Sequence, residues 1–329
     1  TSRLPLIADS QDVGIIAYYN GRAINRIRFL AHIGLVRELL PKHQYCINLC
    51  ENRYHFLVIF AACVSLRQIS LLPASRADKE LERLQDSYED NFLVDDSFVV
   101  AVCESEDDDP PLEFDLRVER DQEVARVFTS GTTGLPRSNP KTWGQLVESA
   151  RRVKARFGFN GGQQHSVIAT VPPQHMFGFE TTIVYPLVTG IAIHAGRPFF
   201  PFDIQKNLLE VPSPRILVTI PLHLKTCIGK VEEWPDIDFI ISATATMPAE
   251  IADQAEEILS TRVFEIYGCS EVGAIATRQM TVNNAWQLLP DFKLTSTAES
   301  TRLDAPGCQE PIEIPDTVDV FEPGFFRLI

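Results

Sequence analysis

The feature that most narrows the fold of this chain is a rhythm. Short apolar runs, RILVTI (215–220), IDFIIS (237–242) and RVFEIY (262–267), recur with helix-like stretches between them. Strands this apolar need cover on both faces, and parallel neighbours need crossovers of a dozen or more residues. The alternation therefore predicts an α/β fold of layered, mostly parallel sheets flanked by helices. Helices are expected at 23–40, 53–66, 79–86, 142–157 and 248–259, the last with Pro248 in its first position. Strands are expected at 45–49, 68–72, 97–103, 123–129 and 166–171. Residues 182–194 read as a helix or strand ending near Gly190. In such sheets ligands collect beyond the carboxyl ends of the strands. Three polar stretches fall there: SGTTG after 123–129, SATAT after 237–242, and YGCSE at the end of 262–267.

The first stretch, in FTSGTTGLPRSNPKTW (128–143), joins small residues and hydroxyls to positive charge. Glycines let main-chain N–H groups converge on an anion, Ser130, Thr132 and Thr133 add hydroxyl donors, and Arg137 and Lys141 add charge. It is not a Walker loop, because Pro136 stands where the second glycine belongs. Taken alone it reads more often as a surface turn than as a site. In YGCSE, Tyr267 offers a flat face to a purine, and Glu271 is a hard oxygen ligand of the kind magnesium takes beside phosphates.

Bulk properties remove several classes. With 45% hydrophobic residues in 329, the chain can bury a sizeable core. A formal net charge of −14 repels a phosphate backbone, so no nucleic-acid partner is expected. The seven cysteines are scattered without a CxxC pair, which fits buried free thiols and a cytoplasmic location. TSRLPLIADSQ lacks the pattern of a signal peptide, and no apolar run is long enough for a membrane span. The acidic, proline-bearing ESEDDDPPLEFD is read as a solvated linker rather than a calcium loop. The expected divisions are a first α/β subdomain at 1–104, a linker at 105–122, a nucleotide- and acid-binding α/β subdomain at 123–280, and a small β-rich segment at 281–329.

Taken together and in order, TSGTTGLPR (129–137), PPQHMFGFE (172–180), SATATMP (242–248) and YGCSE (267–271) resemble the motifs of the adenylate-forming superfamily. That family includes acyl-CoA synthetases, aryl–AMP ligases, luciferases and peptide-synthetase adenylation domains. The resemblance covers nearly the whole chain, most firmly 124–276. It implies the N-terminal domain of these enzymes, with a small β-rich subdomain near the C-terminal end. It implies activation of a carboxylic acid by ATP and Mg²⁺ as acyl-AMP, then transfer to a thiol of coenzyme A or of an acyl carrier protein. By the same resemblance Thr129, Ser130, Gly131, Thr132, Thr133, Gly134 and Arg137 would hold phosphates. Tyr267 and Gly268 would flank adenine, with Ala243, Thr244 and Ala245 on its other side. Ser270 would contact the α-phosphate, Glu271 would hold Mg²⁺, and His175, Phe177, Gly178 and Thr219 would line the acid pocket. Asp316, with Asp319 as competitor, would take the ribose hydroxyls.

The match departs from the family at two places. Arg137 replaces the loop lysine, which Lys141 would compensate. GFFRLI ends about where the family's hinge begins, so the mobile lid, its lysine and a ribose-binding arginine would lie beyond it. This piece is therefore expected to bind nucleotide but to adenylate poorly. INLCENRYHFLVIFAACVSLRQISLLP looks like the compact ligases of aryl-polyene and xanthomonadin-type pigment clusters, which implies a hydroxybenzoate-like acid and a carrier protein. A fatty acyl-CoA synthetase and a non-catalytic nucleotide- or acyl-binding module are the alternatives. Docking an acidic carrier would require a basic face, with Arg151, Arg152, Lys154 and Arg156 as candidates, although these also read as a solvated helix side.

Overall fold

The structure is a computed structural model that describes residues 2–8, 14–105, 115–129, 137–159, 163–231, 233–297 and 300–329. Two sheets organise it. The larger has eleven strands, in the order Val318–Glu322, Phe325–Leu328, Trp286–Leu288, Gly273–Arg278, Arg262–Cys269, Phe239–Ser242, Arg215–Thr219, Ser166–Ala169, Ala192–His194, Ile15–Tyr19 and Arg22–Asn25. Its centre, from Arg262–Cys269 to Ile15–Tyr19, is parallel, and its flanks are antiparallel. The smaller sheet runs Asn91–Val94, Tyr45–Asn48, Ile69–Leu72, Glu123–Thr129 and Arg137–Thr142, and only its last strand is antiparallel.

The helix Arg53–Ser65 packs between the layers. Every residue from Arg53 to Val64 is buried, so the helix is apolar all round rather than on one stripe. Asn52 caps it by accepting from the Tyr54 and His55 N–H groups. Phe60 meets Phe179 edge-on at 5.2 Å, which ties this helix to the segment after His175. One continuous core thus spans both sheets.

The α/β architecture is the expected one, but several local expectations are corrected. Residues 97–103 are not a strand: Asp96–Glu104 is a helix capped by Asp95, and the strand beside it is Asn91–Val94. Only Val99 and Cys103 of this helix are buried, an i, i+4 pair hidden in a β-branched run. Residues 182–194 divide into helical residues through Thr189 and the strand Ala192–His194. Pro248 is the N-cap of Ala249–Leu259, not its first residue. The glycine-rich loop does not lead directly into a helix. Strand Arg137–Thr142 intervenes, with Thr129 paired to Arg137; residues 130–136 lie outside the described residues. Sheet membership also crosses the expected divisions. Ile15–Tyr19 joins the large sheet, while Glu123–Thr129 and Arg137–Thr142 belong to the small one. In the expected linker, Arg117–Glu119 pairs with Arg3–Pro5, and 106–114 lie outside the described residues. The C-terminal part is β-rich as expected, with Lys293–Ser296, Thr301–Asp304 and Ile312–Ile314 forming a separate three-stranded sheet.

Candidate functional site

Parallel strands Ser166–Ala169, Arg215–Thr219, Phe239–Ser242 and Arg262–Cys269 all end on one side, and the polar stretches gather there. A cavity of about 250 Å³ is lined by His175, Met176, Phe177, Glu180, Ala243, Thr244 and the end of Arg262–Cys269. A second, of about 500 Å³, is lined by Thr129, Arg76, Arg197, Gln174, His175 and Ser270. His175, Met176 and Ser270 line both, so the two spaces meet at these residues. A third, of about 970 Å³, holds Arg137, Glu271 and Asp316.

The His175 wall is fixed from behind. Thr170–His175 follows strand Ser166–Ala169, and Arg53 reaches it from the other layer. The guanidinium of Arg53 donates to the carbonyls of Ala169, Val171 and Gly196. Among the described residues no carboxylate answers it, and burial pushes its pKa down to about 9. The Gln174 amide donates to the carbonyls of Asn48 and Cys50. His175 Nδ1 accepts from the Phe177 N–H at 3.3 Å, which leaves Nε2 to carry the proton. Burial holds the imidazole below its ordinary pKa and therefore neutral.

Beyond His175 the helix Met176–Phe179 continues into a π-helical turn, Glu180–Val184. Such turns concentrate at functional sites. The turn buries Glu180, which accepts from Ser149 Oγ at 2.7 Å. Its pKa rises to about 7, mainly through desolvation.

The facing wall is the end of Arg262–Cys269 and its turn. A bulge at Tyr267/Gly268 breaks the ladder with Gly273–Arg278. A Cβ at Gly268 would collide with the Gly273 carbonyl, so only glycine fits. Tyr267 packs against both Trp286 and Phe326 and donates to Asp316 at 2.7 Å. Burial and Asp316 raise its pKa. Lys141 Nζ donates to the main-chain oxygen of Glu271 at 2.6 Å, and Arg137 lies 3.4 Å from its carboxylate. Thr244 has φ 76°, an outlier for a β-branched residue, where strain often accompanies function.

The expected site residues therefore divide. His175, Phe177, Ala243, Thr244, Gly268 and Ser270 share one cavity, and Thr129 opens onto the adjoining one. Asp316 meets Tyr267, whereas Asp319 lies exposed on Val318–Glu322. Ala245 is exposed and lines none of the three cavities. Ser130, Gly131, Thr132, Thr133 and Gly134 lie outside the described residues. Two pocket residues are corrected. The buried Thr219 bonds Thr170 and lines none of the three cavities. Gly178 instead lets the Pro172 carbonyl approach, where a Cβ would collide. Lys141 is held on a carbonyl rather than free to replace the loop lysine. The basic face is largely occupied too. Arg151 pairs with Glu148, Arg152 sits over Phe292, and Arg156 bonds Thr277 and Leu288. Sequence reasoning missed Arg53, Arg76, Arg197, Gln174 and Glu180. The one legible signal was a charge inside an apolar run, at Glu180.

Glu271 is a hard oxygen donor at the mouth of this system, which suits a magnesium ion completed by substrate phosphates. Among the described residues no group of three or more His, Cys, Asp or Glu side chains is placed to hold a metal by itself. No helix there is long and apolar enough to cross a membrane.

A family model described as "AMP-binding enzyme" matches residues 40–298. The chain belongs to this family of AMP-binding enzymes. It is 29% identical over 178 residues to a 4-coumarate–CoA ligase of Rhodobacter capsulatus, covering 54% of this chain and 45% of that one. To the mitochondrial malonate–CoA ligase ACSF3 of Xenopus laevis it is 22% identical over 178 residues, covering 49% and 30%. The chain thus spans less than half the length of these curated relatives. Its fold matches o-succinylbenzoate CoA synthetase (MenE) of Bacillus subtilis with TM-score 0.81 at 16% identity, covering 100% of this chain and 78% of that one. ATP-bound MatB of Rhodopseudomonas palustris matches with TM-score 0.79 at 14% identity, covering 97% and 76%.

Proposed function

We propose that this chain is the nucleotide- and acid-binding part of an AMP-forming acid–thiol ligase that acts on a small aromatic carboxylic acid. The observation that carries the reading is the junction of two cavities at His175 and Ser270 on the strand ends, one of them also lined by Thr129.

The chemistry needs no general base, because the carboxylate is already the nucleophile. It attacks the α-phosphorus of ATP. The new P–O bond makes acyl-AMP, and the bond to pyrophosphate breaks. The difficulty is two anions meeting, which aimed donors and positive charge offset. Neutral His175, with Nε2–H free, orients the acid carboxylate. The Ser270 hydroxyl donates toward the α-phosphate. Arg76 and Arg197 supply positive charge on the cavity that Thr129 lines. Lys141 positions the Glu271 turn through its carbonyl. Bound magnesium would neutralise phosphate charge, with Glu271 as its holder. Tyr267 and Asp316 serve the nucleoside, the ring on the purine and the carboxylate on the ribose.

Phe177, Met176 and Ile266 make the acid cavity apolar, and its volume sits at the small end of ligand pockets. That favours a single-ring acid over a fatty acid. The names of the relatives favour coenzyme A as acceptor over a carrier protein.

Calorimetry with Mg-ATP tests the binding reading. Saturable uptake is expected, and a folded sample that takes up none overturns it. Pyrophosphate exchange on a longer chain, with benzoic and fatty acids, then ranks the substrates. Thioester formation with coenzyme A against a carrier protein identifies the acceptor.

A further inference from the structure

We infer that Glu180 selects the acid, by accepting a hydrogen bond from a hydroxyl or amino group at the end of the substrate remote from its carboxylate. This rests on the proposed function and deepens it.

The cavities adjoin one another. The 500 Å³ space with Thr129 shares His175, Met176 and Ser270 with the 250 Å³ space. The 250 Å³ space shares Met176 and Glu180 with a cavity of about 320 Å³ beside helix Trp143–Phe157, and Met176 lines all three. Glu180 lines the 250 Å³ space but not the one that holds Thr129, so an acid whose carboxylate lies at Ser270 and His175 turns its far end toward Glu180.

The fold makes room for a carboxylate there. A Cβ at Gly273 would collide with the carboxyl group of Glu180, and Gly273 also has φ 80°. Glycine is thus required twice over. The π-helical turn begins at Glu180 itself. The Ser149 hydroxyl and the Ala274 N–H donate to the side chain, while no ion pair is made with it among the described residues. Lys141 attracts it only at a distance, its ammonium being bonded to the Glu271 carbonyl. A buried carboxylate accepts about four hydrogen bonds, so two donors leave capacity unused. Burying a carboxyl group without a cation is unfavourable, and a buried, desolvated carboxyl in a cleft is a functional-site candidate. Among the side chains lining the acid cavity it is the only carboxylate. An acid with a bare apolar end would leave it facing hydrocarbon, and this unpaired polar contact is the strongest form of discrimination.

The test uses sulfamoyl-adenosine analogues of acyl-AMP, whose nucleoside anchors them. Calorimetry compares the 4-hydroxybenzoyl, 3-hydroxybenzoyl, 4-aminobenzoyl, benzoyl and 4-methylbenzoyl forms on the wild-type chain, on Glu180→Gln and on Glu180→Leu. At least one hydroxy or amino form is expected to bind the wild type about tenfold more tightly than the benzoyl and methyl forms. Glu180→Leu should lose or reverse that preference, and Glu180→Gln should keep part of it. Equal affinities across the series on the wild type, or a preference that survives Glu180→Leu, overturns the inference. Failure of every analogue, with Mg-ATP also unbound, instead overturns the proposed function. A thermal melt of each variant confirms folding, and Glu180→Gln keeps the comparison available if leucine does not fold.

Discussion

The two walls of the site are held by different means. The His175 wall is fixed by buried cross-ties: Arg53 on three carbonyls, Gln174 on two, and Gly178 against Pro172. The Tyr267–Glu271 wall has one buried tie, Lys141 on the Glu271 carbonyl, and its other polar ties lie at its edge. Arg137, 71% exposed, reaches Glu271, and Asp316 takes the Tyr267 hydroxyl. The difference teaches which wall keeps its shape without ligand. Buried ties have no water to replace them, so breaking one leaves carbonyls unsatisfied. Exposed ties exchange readily for water, phosphate or magnesium. On the proposed function, the wall assigned to the acid is therefore preformed and the wall assigned to the nucleotide adjustable.

The harshest way to break this contrast is Arg53→Met. Three carbonyls lose their donor, and stability should fall by about 3–5 kcal/mol, read as the urea midpoint. A loss near that of a surface arginine would erase the distinction between the walls.

Glu180 sharpens it through pH. Its pKa is raised from 4.5 to about 7 in the folded state. The proton it keeps on folding stabilises the fold fully below about pH 4.5, and this contribution is lost as pH rises through 7. Between those values wild type should lose about 1.4 kcal/mol per pH unit relative to Glu180→Gln, and the difference should level off above. Lys141, Ser149 and Tyr185 surround the group and are the same in both proteins. Parallel curves for the two would refute the assignment.

Gly178→Ala drives a methyl group into the Pro172 carbonyl, at a cost of about 1–3 kcal/mol. It should weaken binding of a benzoyl analogue more than binding of Mg-ATP. Gln174→Leu removes two buried donors and should cost about 1–2 kcal/mol with the same bias. On the adjustable wall, Asp316→Asn should change stability by less than about 1 kcal/mol while weakening Mg-ATP a few-fold, read by calorimetry. An Asp316 effect on stability as large as that of Gln174 would make the walls alike.

Much of this frame was legible beforehand. The apolar runs at 215–220, 237–242 and 262–267 became adjacent parallel strands, because strands buried on both faces leave a plain signature. The motif stretches were legible because glycine, hydroxyls and charge at strand ends are uncommon together. The helix at Asp96–Glu104 was misread, since Val99, Val100 and Val102 imitate a strand while Asp95 caps a helix. The resemblance put Thr219 in the acid pocket, and only the Thr170 hydroxyl in space shows it is occupied. Arg53, Gln174 and Glu180 act across 116 and 118 residues of chain for Arg53, 124 and 126 for Gln174, and 31 for Glu180. No local pattern encodes such distances.

The order of the large sheet bears on how the chain is made. Ile15–Tyr19 pairs with Ala192–His194, a partner that leaves the ribosome about 175 residues later. At roughly 5–20 residues per second, that strand waits on the order of ten seconds or more with an open edge. Its native partner Arg22–Asn25 covers only the opposite edge, so the edge that awaits Ala192–His194 needs other cover meanwhile, such as a chaperone.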